Sequence, residues 1–284
     1  MSSPEPASSN TCRLRTSAGP LAYTDVGTGS PVVCLHGNPT NARLYRFLVD
    51  ALAPEYRCVV PDHIGFGRSA APPDASYRPA AHAARTEHLL RTLGLTDITL
   101  VLHDWGGPIG LSYAFRHPRT IRRLVLMNTW AWPLTHRPLI RWFGRAVDTA
   151  LGRSLIKRHN LFARALMPWT VGSSSPSHWT RAYATALDTH TRRHACWTFA
   201  RSLTAETPWL RALWSDRHAL SSIPTLLCWG QSDPAFGPEP CLRRWQSFLP
   251  HAEVHRQPDG GHYVPEEMGP ALGALVQRFL SATA

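Results

Sequence analysis

Four residues of this 284-residue chain have types and positions suited to chemistry: Asn38, Asp104, Asp233 and His262. Each closes or shortly follows a short apolar run. The most informative stretch is Ile98-Thr-Leu-Val-Leu-His-Asp-Trp-Gly-Gly-Pro-Ile-Gly110. A β-branched run ends at Asp104, a glycine step follows, and an apolar helical pattern takes over, which reads as strand, sharp turn and helix. A residue at the apex of such an elbow is strained and stands clear of the sheet, where a substrate can meet it. The familiar elbow carries serine, which needs a base to activate it; aspartate is already an anion and can attack unaided. Singly, each residue has an ordinary explanation. Asp104 fits a helix N-cap, Asp233 before Pro234 a turn, His262 a satisfied loop histidine and Asn38 a turn former. Together they stand at four strand ends in the order nucleophile, acid, histidine, which favours one joint site.

The elements that must position them follow from periodicity. Cys12 to Ala18 and Leu21 to Val26 read as an edge hairpin turned by Gly19-Pro20. Pro31 to Leu35, Arg57 to Pro61, 98 to 102, Ile121 to Met127, Pro224 to Trp229 and Ala252 to Gln257 read as further strands. Helical spacing covers Ala42 to Ala53, Ala80 to Leu93, the segment from the elbow to Arg116, Pro238 to Phe248, and Pro265 to Ser281. The alternation predicts an α/β fold with a mostly parallel sheet covered by helices on both faces. Reactive groups in such sheets gather at the carboxyl ends of the strands. The alternation stops at Pro133, and helical or irregular text rich in Arg, His and Trp runs to Ser222. The expected division is a leader at 1–11, a main domain at 12–132 and 216–284, and a helical cap at 133–215.

Composition narrows the class. The length suits one sizeable α/β domain with an insertion. No run is long enough to span a membrane. Met1 to Thr11 is Ser/Pro-rich with no apolar h-region, so we expect a frayed leader and no secretory signal. Cys12, Cys34, Cys58, Cys196, Cys228 and Cys241 form no CxxC pair and read as buried hydrophobes in a reducing, cytoplasmic setting. The formal charge is +11, with a single lysine, Lys157, against 29 arginines, an arginine-biased usage. Pro133 to Ser215 holds 12 basic residues and three acidic ones, so most of the excess lies there. No nucleic-acid-binding motif accompanies it, and we expect no nucleic-acid partner. Leu139, Ile140, Phe143, Val147 and Leu151 make one helical stripe with Arg137, Arg141 and Arg145 opposite. We expect that helix to pack on its own domain with a solvated arginine face, not to lie on a membrane.

Asp62-His-Ile-Gly-Phe-Gly-Arg-Ser69 and Gly260-Gly-His-Tyr263 resemble signatures of the α/β-hydrolases, whose triad has the same chain order. His36-Gly-Asn-Pro-Thr40 together with His103-Asp-Trp-Gly-Gly107 resembles the haloalkane dehalogenases from about residue 12 onward, with the insertion as the cap. Asn128-Thr-Trp-Ala-Trp-Pro133 and Trp229-Gly-Gln-Ser-Asp-Pro-Ala-Phe236 are most like the third subfamily, in which the acid follows the strand after the cap. The resemblance implies a halogenated hydrocarbon as substrate, Asp104 as nucleophile, His262 as base and Asp233 as its partner. It also implies Asn38 and Trp105 as halide donors, their backbone N–H groups as oxyanion hole, no cofactor or metal, and room for self-association into homo-oligomers. Trp130, Trp132 and Phe236 are candidates for the pocket wall. Asp62 and His63 should hold the glycine loop, His103 should pack beside the elbow, and Glu266 and Glu267 should open the last helix, favourably to its dipole.

Rival readings differ in what they require. An epoxide hydrolase shares the Asp-Trp-Gly-Gly elbow but needs two cap tyrosines to protonate the epoxide oxygen, and this cap holds only Tyr183. A fluoroacetate dehalogenase would want arginine where Trp105 stands, and a serine hydrolase would need serine at the apex. A non-catalytic protein of the same fold, using the basic cap for interaction, would not need Asp104, Asp233 and His262 together.

Overall fold

The carboxyl edge of one sheet is where this chain gathers Asn38, Asp104, Asp233 and His262, and a computed structural model shows how. It describes residues 11–173, 177–237 and 241–283. The strands are β1 (Thr11–Thr16), β2 (Gly19–Val26), β3 (Pro31–Leu35), β4 (Arg57–Pro61), β5 (Ile98–His103), β6 (Ile121–Met127), β7 (Thr225–Gly230) and β8 (Glu253–Gln257). They form a sheet in the order β1-β2-β4-β3-β5-β6-β7-β8. Pairing is parallel from β4 to β8 along that order, while β1 on β2 and β2 on β4 are antiparallel. The edge hairpin and the mostly parallel sheet are therefore as expected. Of the leader, residues 1–10 lie outside the described residues, and Thr11 already pairs with Thr24 in the hairpin.

The helices are α1 (Arg46–Leu52), α2 (Pro79–Thr92), α3 (Gly106–Arg116), α4 (Pro138–Asp148), α5 (Ala150–His159), the short α6 (Met167–Trp169), α7 (Thr180–Ala186), α8 (His190–Ala205), α9 (Thr207–Ser215), α10 (Arg243–Phe248), α11 (Val264–Met268) and α12 (Pro270–Ala282). Side chains alternate across a strand, so the central strands feed two cores. Val33, Leu35, Leu100, Leu102, Leu124, Leu126, Leu227 and Trp229 face one core with α2 and α3. Val32, Cys34, Val101, Val125, Met127, Leu226 and Cys228 face the other, closed by α1 and α12. All six cysteines are free, and only Cys12 is not fully buried. No helix among the described residues is long and apolar enough to cross a membrane.

Two expected helices differ. The segment 265–281 is two helices, because Gly269 (φ +53°) breaks the chain immediately before Pro270, which starts the next helix. Glycine adopts that backbone freely, and proline suits a first turn. The segment from Pro238 begins in residues outside the described ones and is α-helical from Arg243. Between β6 and β7, α4 to α9 form the helical layer above the sheet's carboxyl edge. The stripe on α4 and α5 is only partly inward: Ile140 and Val147 are buried, whereas Leu139 is 50% and Leu151 67% exposed.

Behind the loop that carries Asn38, His36, His63 and His82 stand in a buried row, with ring centroids 4.4 Å and 5.1 Å apart. Burial lowers the pKa of His36 from 6.5 to about 4. It holds His63 and His82 well below the usual range, with neighbouring imidazoles adding to the effect. The folded protein keeps these rings neutral, while the unfolded chain binds protons below about pH 6.5, so stability is lost as pH falls through that value. For His36 alone the loss is roughly 3 kcal/mol by pH 4. A melting temperature followed by circular dichroism should fall steeply between pH 7 and pH 4, and His82→Phe should flatten the fall. A flat profile for the parent chain would refute this account.

Candidate active site

Asp104 sits where β5 ends and α3 begins, with φ +49°, a conformation a non-glycine residue adopts only under constraint. The constraint is local. Thr129 Oγ1 (2.6 Å) and the Gly107 N–H (2.9 Å) donate to the Asp104 carbonyl. Two glycines let other backbone approach: a Cβ on Gly106 would lie 1.9 Å from the Leu35 carbonyl oxygen, and one on Gly37 would lie 2.2 Å from Asp104 Oδ2. The Asn38 N–H donates to that oxygen at 2.6 Å, and the Trp105 N–H also bonds the carboxylate. The Asn38–Pro39 peptide is cis. Asp104 is buried, and burial raises its pKa above the ordinary value, against the opposing pull of His262 and the two N–H donors.

His262 follows β8. Its Nε2 stands 3.8 Å from Asp104 Oδ1, and its Nδ1 bonds Asp233 Oδ2 at 2.8 Å. Asp233, after β7, is also buried but is surrounded by donors. Ala235 N (2.7 Å) and Phe236 N (3.0 Å) bond Oδ1, and Asn128 Nδ2 (2.7 Å) joins His262 on Oδ2. Burial pushes its pKa upward, but His262 and those donors outweigh it, and the net shift is downward. For His262 burial pushes down while Asp233 and then Asp104 push up, and the net shift is upward. The arrangement is thus two carboxylates on either side of one imidazole, with environments that drive their pKa values apart.

Asn38, Asp104, Trp105, Phe236, His262 and Tyr263 line a cavity of about 120 Å³ whose remaining wall is apolar except for Thr170 and comes largely from the helices above. The Asn38 amide nitrogen donates to the Cys196 carbonyl of α8 at 3.2 Å, which leaves its second N–H for a ligand. The structure thus brings together Asn38, Asp104, Trp105, Asp233, Phe236 and His262. It does not bring Trp130 or Trp132 to the cavity. Trp130 is fully buried between Trp105 and Phe236, stacked on the latter at 4.3 Å. Trp132 packs against Trp214 and Trp245. An aromatic residue near a strand end looks the same in sequence whether it forms the wall or backs it.

Several supporting residues carry more than sequence reasoning gave them. His103 does pack beside the elbow, and its Nε2 also bonds the His262 carbonyl at 2.8 Å. Asn128, at φ +36°, exchanges hydrogen bonds with Gly230 and clamps Asp233. An asparagine at a strand end, tolerant of left-handed backbone, was the signal available for it. Asp62 holds the glycine loop as expected, bonding Ala42 N and Arg68. Glu266 and Glu267 are clasps more than dipole partners. Glu266 pairs with Arg46 and accepts from Tyr183, and Glu267 takes the N–H groups of Gly172, Gly261 and Tyr263.

A family profile described as the alpha/beta hydrolase fold matches residues 30–267. The chain is 36% identical to a cis-3-alkyl-4-alkyloxetan-2-one decarboxylase of Shewanella oneidensis, over 95% of this chain and 88% of that protein. It is 32% identical to haloalkane dehalogenase 2 of Mycobacterium tuberculosis, over 93% of each. Its structure is similar to that of the haloalkane dehalogenase DatA from Agrobacterium tumefaciens, with a TM-score of 0.85 at 25% identity, covering 97% of both chains. With its aspartate elbow, its fold and these relatives, the chain belongs to the α/β-hydrolase family, as a haloalkane dehalogenase-like enzyme.

Proposed function

We propose that the protein hydrolyses haloalkanes to an alcohol, halide and a proton through an alkyl ester on Asp104. The observation that carries this reading is the asymmetry of the Asp104 carboxylate: Oδ2 rests on the Asn38 N–H, while Oδ1 faces His262 across 3.8 Å at the wall of an apolar cavity. Oδ1 attacks the halogen-bearing carbon in line, the C–O bond forms as the carbon–halogen bond breaks, and the electron pair leaves with the halide. The Trp105 indole N–H and the Asn38 amide are neutral donors suited to the departing anion, since they favour it without holding it as a full charge would. Water between His262 and the ester then gives its proton to Nε2 and attacks the ester carbonyl, with the charge on Oδ2 borne by the Asn38 and Trp105 N–H groups. The adduct collapses by breaking its C–O bond to the alkyl group's oxygen, the alcohol leaves with the proton from Nε2, and Asp104 returns to its anion by releasing a proton to solvent. Asp233 orients the imidazole and steadies its cation.

A second reading is favoured by the decarboxylase relatives, at 36% and 35% identity. In an oxetan-2-one the ring carbon bonded to oxygen is also saturated, with a carboxylate as leaving group. The same attack by Asp104 opens the ring, and loss of CO₂ then expels the Asp104 carboxylate and leaves an alkene, with no water consumed. An epoxide reading has less support: the Tyr183 hydroxyl bonds Glu266 and is not among the residues lining the cavity.

Purified protein should release bromide and acid from 1-bromobutane or 1,2-dibromoethane. No halide, with alkene and CO₂ from a cis-3,4-dialkyloxetan-2-one, would replace the first reading by the second; diol from styrene oxide would overturn both. Asp104→Ala should abolish turnover. His262→Ala should trap the alkyl ester, seen by mass spectrometry as the parent mass plus the alkyl group. Asn128→Ala removes one donor from a buried anion and should lower kcat about tenfold or more, with KM little changed. His262 must be neutral to accept a proton, so the hydrolytic rate should fall as pH drops through a value above 6.5, and Asp233→Asn should move that limb downward. A limb unmoved by Asp233→Asn would assign it to another group.

A further inference from the structure

The large apolar side chains that stand in solvent among the described residues are Leu139 (50% exposed), Trp142 (64%), Leu151 (67%) and Trp169 (65%). All four lie on the helical segment between β6 and β7. Leu139 and Trp169 line the mouth of the cavity above Asp104. On α4, Leu139 and Trp142 are one turn apart, and the Arg145 guanidinium lies 5.4 Å from the Trp142 ring centroid. The same segment carries most of the chain's net positive charge, with 12 basic residues against three acidic between Pro133 and Ser215. Those three acids are already paired: Asp148 with Arg201, Asp188 with Arg192, and Glu206 with Arg78. Arg141, Arg145 and Arg164 are exposed and have no carboxylate partner among the described residues.

We propose that this face docks on an anionic lipid surface, with the cavity mouth turned toward the bilayer. Resting on the reading above, apolar substrate dissolved in the lipid would then enter the site from the membrane. Tryptophan and leucine interleaved with arginine suit an interface that is apolar below and anionic at the headgroups. A nucleic acid would use the charge and leave the indoles and leucines in water. A second copy presenting the same face would bring two strongly positive surfaces together. The sequence pattern alone favours a helix packed on its own domain with a solvated arginine face; the exposure of Leu139, Trp142 and Leu151 is what changes that balance.

The test is co-sedimentation of the full chain with phosphatidylcholine vesicles, with and without phosphatidylglycerol as about a third of the lipid. The protein should pellet with the anionic vesicles, less so as salt is raised. The pairs Trp142→Ser with Leu151→Ser, and Arg141→Glu with Arg145→Glu, should each weaken binding about tenfold or more. Both pairs should keep a native circular dichroism spectrum and the parent's turnover of a water-soluble substrate. No pelleting, equal pelleting with neutral vesicles, or binding untouched by either pair would overturn the proposal. So would concentration-dependent self-association, or retention of a DNA duplex, in protein that ignores vesicles. Pelleting needs no turnover, so its outcome is separate from that of the halide assay.

Discussion

A buried anion with no fixed positive charge beside it is the condition on which the rest of this site depends. Asp104 is 4% exposed, so bulk water does little to solvate it. An isolated carboxylate in such a place would take up a proton. What opposes protonation is a pair of backbone N–H groups and the imidazole across the cavity. Each of these needs backbone to come very close, and the local sequence follows from that need. Gly37 leaves no room for a Cβ beside Oδ2, and Gly106 leaves none beside the end of β3. The left-handed turn at Asp104 places the side chain where those donors can reach it. On the proposed reading, a nucleophile held by so few donors stays basic, which favours attack on a saturated carbon.

The same imidazole bonds a second carboxylate whose pKa shifts the opposite way, because that carboxylate lies against the ring and receives more donors. Asp233 receives four hydrogen bonds and sits below the ordinary carboxylate range; Asp104 has fewer and sits above it. Asn128 adds a donor without adding charge. A carboxylate there would repel Asp233 and strand one of the two pairs. The Asn128–Gly230 bonds also tie the end of β6 to the end of β7, so the acid is fixed by the sheet itself.

Much of this was legible in the sequence because its causes are local. The elbow, the order of Asp104, Asp233 and His262, and the strand–helix alternation all come from periodicities and residue types within short windows. What was not legible depends on contacts between distant segments. His103 reaches the His262 carbonyl, Glu267 gathers N–H groups from residues 172, 261 and 263, and Glu266 meets Arg46 and Tyr183. No spacing rule links those positions. Trp130 and Trp132 show the opposite failure. An apolar aromatic near a strand end is compatible with wall or core, and only packing shows that Phe236 takes the wall and Trp130 lies behind it.

The α4 helix shows why such ambiguity concentrates above the site. Periodicity offers two faces, apolar and polar, yet this helix meets three surroundings. Gly144 and Val147 turn toward α8, where the Val147 carbonyl accepts from the Trp197 indole at 3.0 Å. Leu139, Ile140 and Phe143 turn toward the cavity. Trp142, Arg141 and Arg145 turn outward. A cavity wall and a core are equally apolar, so the pattern merges them into one stripe, although a core position must fill space and a wall position must leave it empty. On the proposed reading, Asp104, Asp233 and His262, held at the sheet's edge by backbone donors, by Asn128 and by one another, would treat any small saturated carbon centre alike. The residues that decide which molecules fit are those on the helices above, where sequence pattern constrains shape least.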